Sequence, residues 1–145
     1  QPCLRVGIRG GEITGNLLVA TTGAAPEAPV VFTASSCLFT GNRIDTGVAA
    51  SAIRLVSVSD TVMGSNNINC DITPNGTSAI SFESATQCMM TGNIVQKVLG
   101  GLGVNLDATS QNNNVACNSL RAFGGGTFVA DAGTNNNVGT ANMVF

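Results

Sequence analysis

Apolar residues recur along this chain with a period of 24 to 27 residues, and one asparagine marks each period. Two positions after every one of these asparagines lies an aliphatic residue. The asparagines are Asn16, Asn42, Asn66, Asn93, Asn118 and Asn142, and the aliphatic residues are Leu18, Ile44, Ile68, Val95, Leu120 and Val144. A repeat of this length is typical of solenoids, because one period cannot bury its own apolar face and stacked periods share a core.

Two further sets of apolar positions follow the same period. Three or four positions before the asparagines come Ile13, Leu38, Val62, Met89, Val115 and Val138. The third set is Val6, Val30, Ile53, Ile80, Val104 and Phe128, with Ile8, Phe32, Leu55, Phe82, Leu106 and Ala130 two residues later. Alternation with period two predicts strands, and Gly, Asn and Thr interrupt every stretch that could become a helix. Each period therefore predicts three short β-strands.

The sequence thus predicts an all-β fold: one parallel β-helix domain over residues 1–145, with about six coils and three strands per coil. Neighbouring coils are expected to lie about 4.8 Å apart, which gives a rod about 30 Å long. We expect the repeating asparagines to form a turn ladder. In this interpretation each asparagine adopts positive φ at a bend, and its amide hydrogen-bonds to the next coil along the column.

Composition and charge exclude several classes of function. Only 10% of the residues are charged, and the net charge of −2 is spread along the chain without a basic stripe. We therefore expect neither nucleic-acid binding nor membrane insertion, since no apolar stretch is long enough to span a bilayer. The residues after Gln1 lack the basic start and apolar run of a signal peptide. The chain is then either a processed protein or a piece of a longer one.

The number and spacing of the cysteines give no indication of a bound cofactor. There are five of them, Cys3, Cys37, Cys70, Cys88 and Cys117, with no CxxC pair and no histidine in the chain. This arrangement does not match a zinc site or a catalytic thiol, so we interpret the cysteines as small core residues. The pattern leaves their disulfide status open.

The segments Leu38–Ile44 and Met89–Val95 both carry Thr-Gly-Asn. They resemble the right-handed parallel β-helix repeat of pectate-lyase-like proteins, whose coils occur in bacterial surface proteins, phage tailspikes and phage-tail-like appendages. The resemblance implies a right-handed solenoid and an extracellular, cell-surface or virion location. It does not select an activity, because the family includes lyases, hydrolases, adhesins and spacers.

Three carboxylates are the candidates for chemistry. Glu83, Asp107 and Asp131 are 24 residues apart, and we expect them to stack outward on one face. Neighbours about 5 Å apart fit the range of retaining glycosidases, and a cation such as Ca²⁺ could bind between them. The usual supports are missing, because the chain has no Tyr, Trp or His and only Arg54 lies near the row. The alternative is a solvated acidic face, so we assign no catalytic or metal-binding residue.

Both ends of the repeat are in strand register and lack a capping helix. Val6, Ile8 and Ile13 begin the apolar columns, and Met143, Val144 and Phe145 end them. Uncapped solenoid ends expose unpaired backbone and apolar surface, which favours stacking of further subunits. We therefore expect self-association, end to end or as a trimer.

The preferred hypothesis is a noncatalytic structural or adhesive module of an extracellular or virion appendage, whose expected partners are further copies of itself and a cell surface or polysaccharide. The alternative is a polysaccharide-degrading lyase or glycoside hydrolase that uses the carboxylate row. An ice-binding face is disfavoured, because the threonines beside the asparagines form a single file rather than paired ranks.

Overall fold

The computed structural model describes residues 4–20, 28–47, 51–70, 78–97, 102–122, 128–139 and 142–144. Within these ranges the only regular secondary structure is the β-strand. The strands are β1 (Leu4–Val6), β2 (Glu12–Thr14), β3 (Leu17–Ala20), β4 (Val30–Phe32), β5 (Leu38–Thr40), β6 (Arg43–Thr46), β7 (Ile53–Val56), β8 (Val62–Gly64), β9 (Asn67–Cys70), β10 (Ser78–Glu83), β11 (Met89–Thr91), β12 (Ile94–Lys97), β13 (Leu102–Leu106), β14 (Asn114–Ala116), β15 (Ser119–Ala122), β16 (Val129–Asp131), β17 (Asn137–Val138) and β18 (Met143–Val144).

Every third strand belongs to the same sheet, so the chain is a parallel β-solenoid with three strands per turn, as the sequence predicts. Sheet A is ordered β1-β4-β7-β10-β13-β16, sheet B is β2-β5-β8-β11-β14-β17, and sheet C is β3-β6-β9-β12-β15-β18. All of the pairing between strands is parallel. The turn count is about four to five rather than the six coils expected.

Sheet C has the register that the sequence predicts. The aliphatic residues two positions after the asparagines are direct partners in neighbouring strands, from Leu18 opposite Ile44 to Leu120 opposite Val144. The inner members Ile44 and Ile68 are fully buried. This column is predictable because each sheet C strand carries its aliphatic residue at a fixed distance from the asparagine.

The expected inward column of sheet B is wrong at three positions. Phe39, Met63 and Met90 point into the core and are fully buried, whereas their predecessors Leu38, Val62 and Met89 lie on the outer face. The register pairs Ile13, Phe39, Met63, Met90, Val115 and Val138. The error arose because each misread strand carries two adjacent apolar residues, so hydrophobicity alone cannot decide which of them faces inward.

The sheet A columns are correct in the inner coils and wrong at both ends. Leu4 pairs with Val30, and Val6 pairs with Phe32. Val6 therefore lies in the column of Phe32 and not in the expected column of Val30. At the other end Val129 pairs with Val104, one residue after Phe128. The physical reason is that chain length at the corners varies, which shifts the columns of the terminal coils relative to a fixed spacing.

The core is one continuous column of aliphatic and aromatic side chains inside the three sheets. Its largest buried residues include Phe32, Phe39 and Phe82. The rings of Phe32 and Phe39 meet edge to face, with centroids 5.4 Å apart and an interplanar angle of 84°. This geometry adds a favourable aromatic contact to the burial of both rings.

The three corners differ in how much chain they contain. In the first five coils the corner between sheets B and C has two residues, such as 41–42 and 92–93. The connections from sheet C to the next strand of sheet A vary most and span 21–29, 47–52, 71–77, 98–101 and 123–128. The variation in coil length is therefore concentrated at one corner.

Candidate functional site

The three candidate carboxylates do not form one row. Glu83 is the last residue of β10, and Asp107 directly follows the last residue of β13. Because Phe82 pairs with Leu106 and Leu106 pairs with Asp131, Asp131 is displaced by one register position from the line through Glu83 and Asp107. The structure therefore aligns Glu83 and Asp107 in neighbouring coils, and it places Asp131 in the next coil, one residue out of line with them.

Asp131 acts locally on its own turn. Its Oδ1 accepts hydrogen bonds from the backbone N–H of Gly133 at 2.9 Å and from Nδ2 of Asn136 at 2.8 Å. Such a carboxylate organises the turn between β16 and β17 by satisfying donors that the bend leaves free.

Glu83 is held by an arginine from the preceding coil. Nε of Arg54 donates to Oε1 of Glu83 at 2.7 Å, Nη2 of Arg54 donates to Oε2, and the hydroxyl of Ser81 donates to Oε1 at 3.0 Å. The side chains of Arg54 and Glu83 are 34% and 29% exposed. Hydrogen bonding to Arg54 is the main cause that lowers the pKa of Glu83 below its ordinary value of 4.5, against an opposing effect of burial.

Asp107 accepts hydrogen bonds from three neighbouring residues. The hydroxyls of Ser110 and Thr109 donate to Oδ1 at 2.8 and 2.9 Å, and the backbone N–H of Ser84 in the preceding coil reaches the carboxylate at 3.2 Å. Burial acts to raise the pKa of Asp107, but the hydrogen bonds from Ser110, Ser84 and Thr109 together lower it from its ordinary value of 3.8. Asp107 therefore serves as an acceptor that joins two coils.

Both neighbouring carboxylates are ionised at neutral pH. A general acid needs a raised pKa, so neither Glu83 nor Asp107 has the protonation behaviour of that role. Among the described residues, no three Cys, Asp or Glu side chains are close enough to hold a metal ion together. The arrangement can join coils and present polar groups to solvent.

The residues expected to take part in end stacking lie at the two ends of the described chain. A cavity of about 180 Å³ is lined by Leu4, Arg5, Val6, Gly7, Ile8, Gly11 and Ile13. Val6 is buried, Ile13 is half-buried, and Ile8 is 79% exposed. At the opposite end Met143 and Val144 form β18, and Phe145 lies outside the described residues.

The repeating asparagines line the corner between sheets B and C. The residue before each of the first five has positive φ, at Gly15, Gly41, Ser65, Gly92 and Cys117. The asparagines themselves do not have positive φ, so that part of the expectation is wrong. The preceding residue makes the left-handed bend, which leaves the asparagine side chain free to turn into the interior.

The asparagine amides form one hydrogen-bonded column. Oδ1 of Asn42 accepts from the backbone N–H of Asn16 at 2.9 Å and from its Nδ2 at 3.0 Å. The same two bonds link Asn42 to Asn66, Asn66 to Asn93, Asn93 to Asn118 and Asn118 to Asn142. The four inner asparagines are 1% exposed. Their amides therefore join coils inside the solenoid and are not accessible to a ligand.

A second polar column lies at the corner between sheets A and B, and sequence reasoning missed it. Its members directly precede the sheet B strands and are Cys37, Thr61, Cys88, Asn113 and Asn136. The N–H of Cys88 donates to Oδ1 of Asn113, and the N–H of Asn113 donates to Oδ1 of Asn136, both at 2.9 Å. The available signal was the pair of asparagine runs at 112–114 and 135–137.

The described cysteines carry free thiols. Cys37, Cys70 and Cys88 are buried, and Cys117 is exposed, while Cys3 lies outside the described residues. Burial raises the pKa of Cys88 to about 11, so this thiol stays protonated and unreactive at neutral pH. The buried cysteines behave as small core residues.

Comparison with protein-family models, with curated proteins and with solved structures finds no match. No helix that could span a membrane is found in the described ranges. Conclusions about function therefore depend on the geometry of the chain itself.

Proposed function

We propose that this chain is a noncatalytic structural or adhesive β-solenoid module, stacked end to end or with partner subunits in an extracellular or virion appendage. The observation that carries the proposal is the use of its polar side chains. Glu83, Asp107 and the inner asparagines all hydrogen-bond to neighbouring coils. Side chains used in this way stabilise a rod, and the lowered pKa values of Glu83 and Asp107 do not suit proton transfer.

The turn chemistry supports the finer assignment to right-handed β-helix repeats of the pectate-lyase-like kind. The Thr-Gly-Asn corners of Leu38–Ile44 and Met89–Val95 combine a glycine at positive φ with an inward asparagine. Coils of that kind in surface proteins, tailspikes and phage-tail-like appendages support an external location for this chain, and contact with a cell surface or polysaccharide belongs to the same proposal.

Sedimentation velocity and electron microscopy of the purified protein test the structural role. We expect concentration-dependent association into rods or trimers, because an open solenoid end exposes unpaired strand edges. A protein that stays monomeric at high concentration and binds no other subunit or surface would contradict the proposal.

A second candidate is a polysaccharide-degrading enzyme, and one observation favours it. Glu83 and Asp107 occupy neighbouring coils on one outer face, and the charge of Asp107 acts on Glu83. The test compares the native chain with a Glu83→Gln, Asp107→Asn, Asp131→Asn variant on acidic and neutral polysaccharides. Turnover that disappears in a folded variant would establish the enzyme and displace the structural role.

The same variant tests cation binding by the carboxylates. A bound Ca²⁺ would raise the melting temperature by mass action, and a chelator would reverse the increase. We expect no calcium-dependent shift in either protein, because Glu83 is already paired with Arg54.

A further inference from the structure

The outer face of sheet C carries two columns of side chains, one on each side of the buried aliphatic column. Each strand contributes one residue to either column, and the parallel register aligns both columns from coil to coil. The first three coils contribute Leu17 and Val19, Arg43 and Asp45, and Asn67 and Asn69. Their outward direction follows from the register of sheet C, whatever precedes or follows these coils.

The two outward residues of each of these coils are of matching kind: aliphatic with aliphatic, cation with anion, and amide with amide. A two-fold axis parallel to the rod and centred on this face would exchange the two columns between two copies of the chain. Each residue of the first column would then face the second-column residue of the same coil in the other copy. Every contact would be made twice, as in an isologous interface. The outer face of sheet C is therefore self-complementary.

The charges of the second coil have unused hydrogen-bonding capacity. Nε of Arg43 donates to Oδ2 of Asp45 at 2.8 Å, but no described residue accepts a hydrogen bond from either Nη of Arg43. Oδ1 of Asp45 accepts none among the described residues, although an ionised carboxylate has about four acceptor positions. The side chains are 62% and 25% exposed. A second copy would bring its own Arg43 to this Asp45, which gives four charges of alternating sign.

The third and fourth coils extend the match. No described residue hydrogen-bonds to the side-chain amide of Asn67 or Asn69, whereas the amides of the corner column all bond to one another. Because an amide both donates and accepts, Asn67 can pair with Asn69 of a second copy. Ile94 is 40% exposed and would cover the methylene groups of Gln96 from the other copy. The polar groups left open on this face are therefore those that a second copy satisfies.

The relative direction of the two rods follows from the charges. If the rods were antiparallel with all six strands of sheet C in contact, the second coil would face the fifth. Asp45 would then face Arg121 of the second copy, but Arg43 would lie beside the same guanidinium, so attraction and repulsion would largely cancel. Parallel rods set each charge of the second coil against an opposite one.

We propose that the outer face of sheet C binds the same face of a second copy of this chain, with the rods parallel and Arg43 of each copy opposite Asp45 of the other. The inference rests on the proposed structural role and specifies one contact with a partner subunit. Five strands of four residues give a footprint of about 25 by 13 Å, or about 300 Å². A stable interface needs roughly 800 Å² per partner, so we expect a weak dimer.

Sedimentation velocity over a range of concentrations tests the contact. Asp45→Arg sets cations against cations, and we expect it to raise the Kd of the dimer by about tenfold or more. The double variant Arg43→Asp, Asp45→Arg exchanges the two charges and should restore the native Kd, since position 43 still faces position 45. Asp60→Arg is the matched control, because it makes the same change in charge at an exposed carboxylate on the corner between sheets A and B. It should leave the Kd unchanged, and circular dichroism confirms that each variant is folded.

Each other outcome overturns the inference in a different way. Association that Asp45→Arg leaves unchanged, or that Asp60→Arg weakens equally, would place the contact on another surface and leave the structural role intact. A double variant as weak as Asp45→Arg would exclude parallel rods. A native chain that stays monomeric at high concentration but binds a polysaccharide or another subunit would overturn the inference alone. A native chain that neither associates nor binds any surface or subunit would overturn the structural role as well.

Discussion

At the scale of single residues, the corner asparagine is suited to its position because it both donates and accepts. Asn93 accepts from Asn66 and donates to Asn118, and its Nδ2 also reaches the carbonyls of Met63 and Thr91. An aspartate of the same shape would lack the Nδ2 donor. The acceptors that Nδ2 reaches in the three coils would then lose a partner, and buried polar groups without partners are destabilising. Each inner asparagine therefore connects three successive coils.

Replacement of Asn93 by alanine should lower the free energy of unfolding by about 2–4 kcal/mol, because buried groups in three coils lose a partner at roughly 1–3 kcal/mol each. Denaturant unfolding followed by circular dichroism measures the effect. The control is Asn67→Ala, which alters an exposed asparagine at the start of β9. Equal effects of the two substitutions would show that the buried amide contributes nothing.

The lowered pKa values of Glu83 and Asp107 predict a dependence of stability on pH. A carboxylate with a lowered folded-state pKa contributes stability above its ordinary pKa, here 4.5 and 3.8, and loses it as the pH falls through the folded value. We expect the urea concentration at the unfolding midpoint to stay constant from neutral pH down to these ordinary pKa values. At lower pH the midpoint should decrease. Glu83→Gln should make the acid-side fall shallower, and an unchanged slope in this variant would contradict the role of the lowered pKa of Glu83.

At the scale of strands, the apolar pattern predicts a column only where it leaves one choice. Sheet C could be predicted throughout, because the aliphatic residue lies at a fixed distance from the asparagine. In sheet B the adjacent apolar residues Met89 and Met90 satisfy either face, and the structure places Met89 outside. The contact of Arg54 with Glu83 could not be predicted without the register, because Arg54 pairs with Ser81 and reaches Glu83 diagonally.

Neighbouring sheet C strands carry an isoleucine on opposite faces, which permits a matched comparison. Ile68→Ala should lower the free energy of unfolding by about 2–5 kcal/mol, since it opens a cavity in the core. Ile94→Ala removes the same atoms from a 40% exposed side chain, and we expect a loss under about 1 kcal/mol. Urea titrations of both variants give the comparison, and a larger loss for Ile94→Ala would contradict the register of sheet C.

At the scale of the whole molecule, one coil is a replaceable unit. The inner coils repeat the same corners and sheet positions, so each coil contacts only the coils above and below it. Differences in coil length are confined mainly to the connection between sheets C and A. The length and course of this corner are also the least predictable from the sequence, because no apolar residue or asparagine recurs there at a constant spacing.

Deletion of residues 67–93 should therefore leave a folded solenoid that is one coil shorter. The deletion joins Asn66 to Ile94 and brings β12, β13 and β14 into the places of β9, β10 and β11. We expect a β-sheet spectrum and a cooperative melt at lower temperature. Deletion of 67–92 shifts the following strand by one residue, reverses its inward and outward faces, and should not fold. A shorter chain that unfolds in both cases would contradict the modular description.

The uniform orientation of the asparagine amides has an electrical consequence. Strand dipoles alternate and leave a sheet with a small net dipole, whereas the side-chain amides in this column all point the same way and add. The column therefore places partial negative charge at the Asn16 end and partial positive charge at the Asn142 end, as aligned peptide groups do in a helix with the opposite sense along the chain. A cation is therefore stabilised near Asn16 and an anion near Asn142.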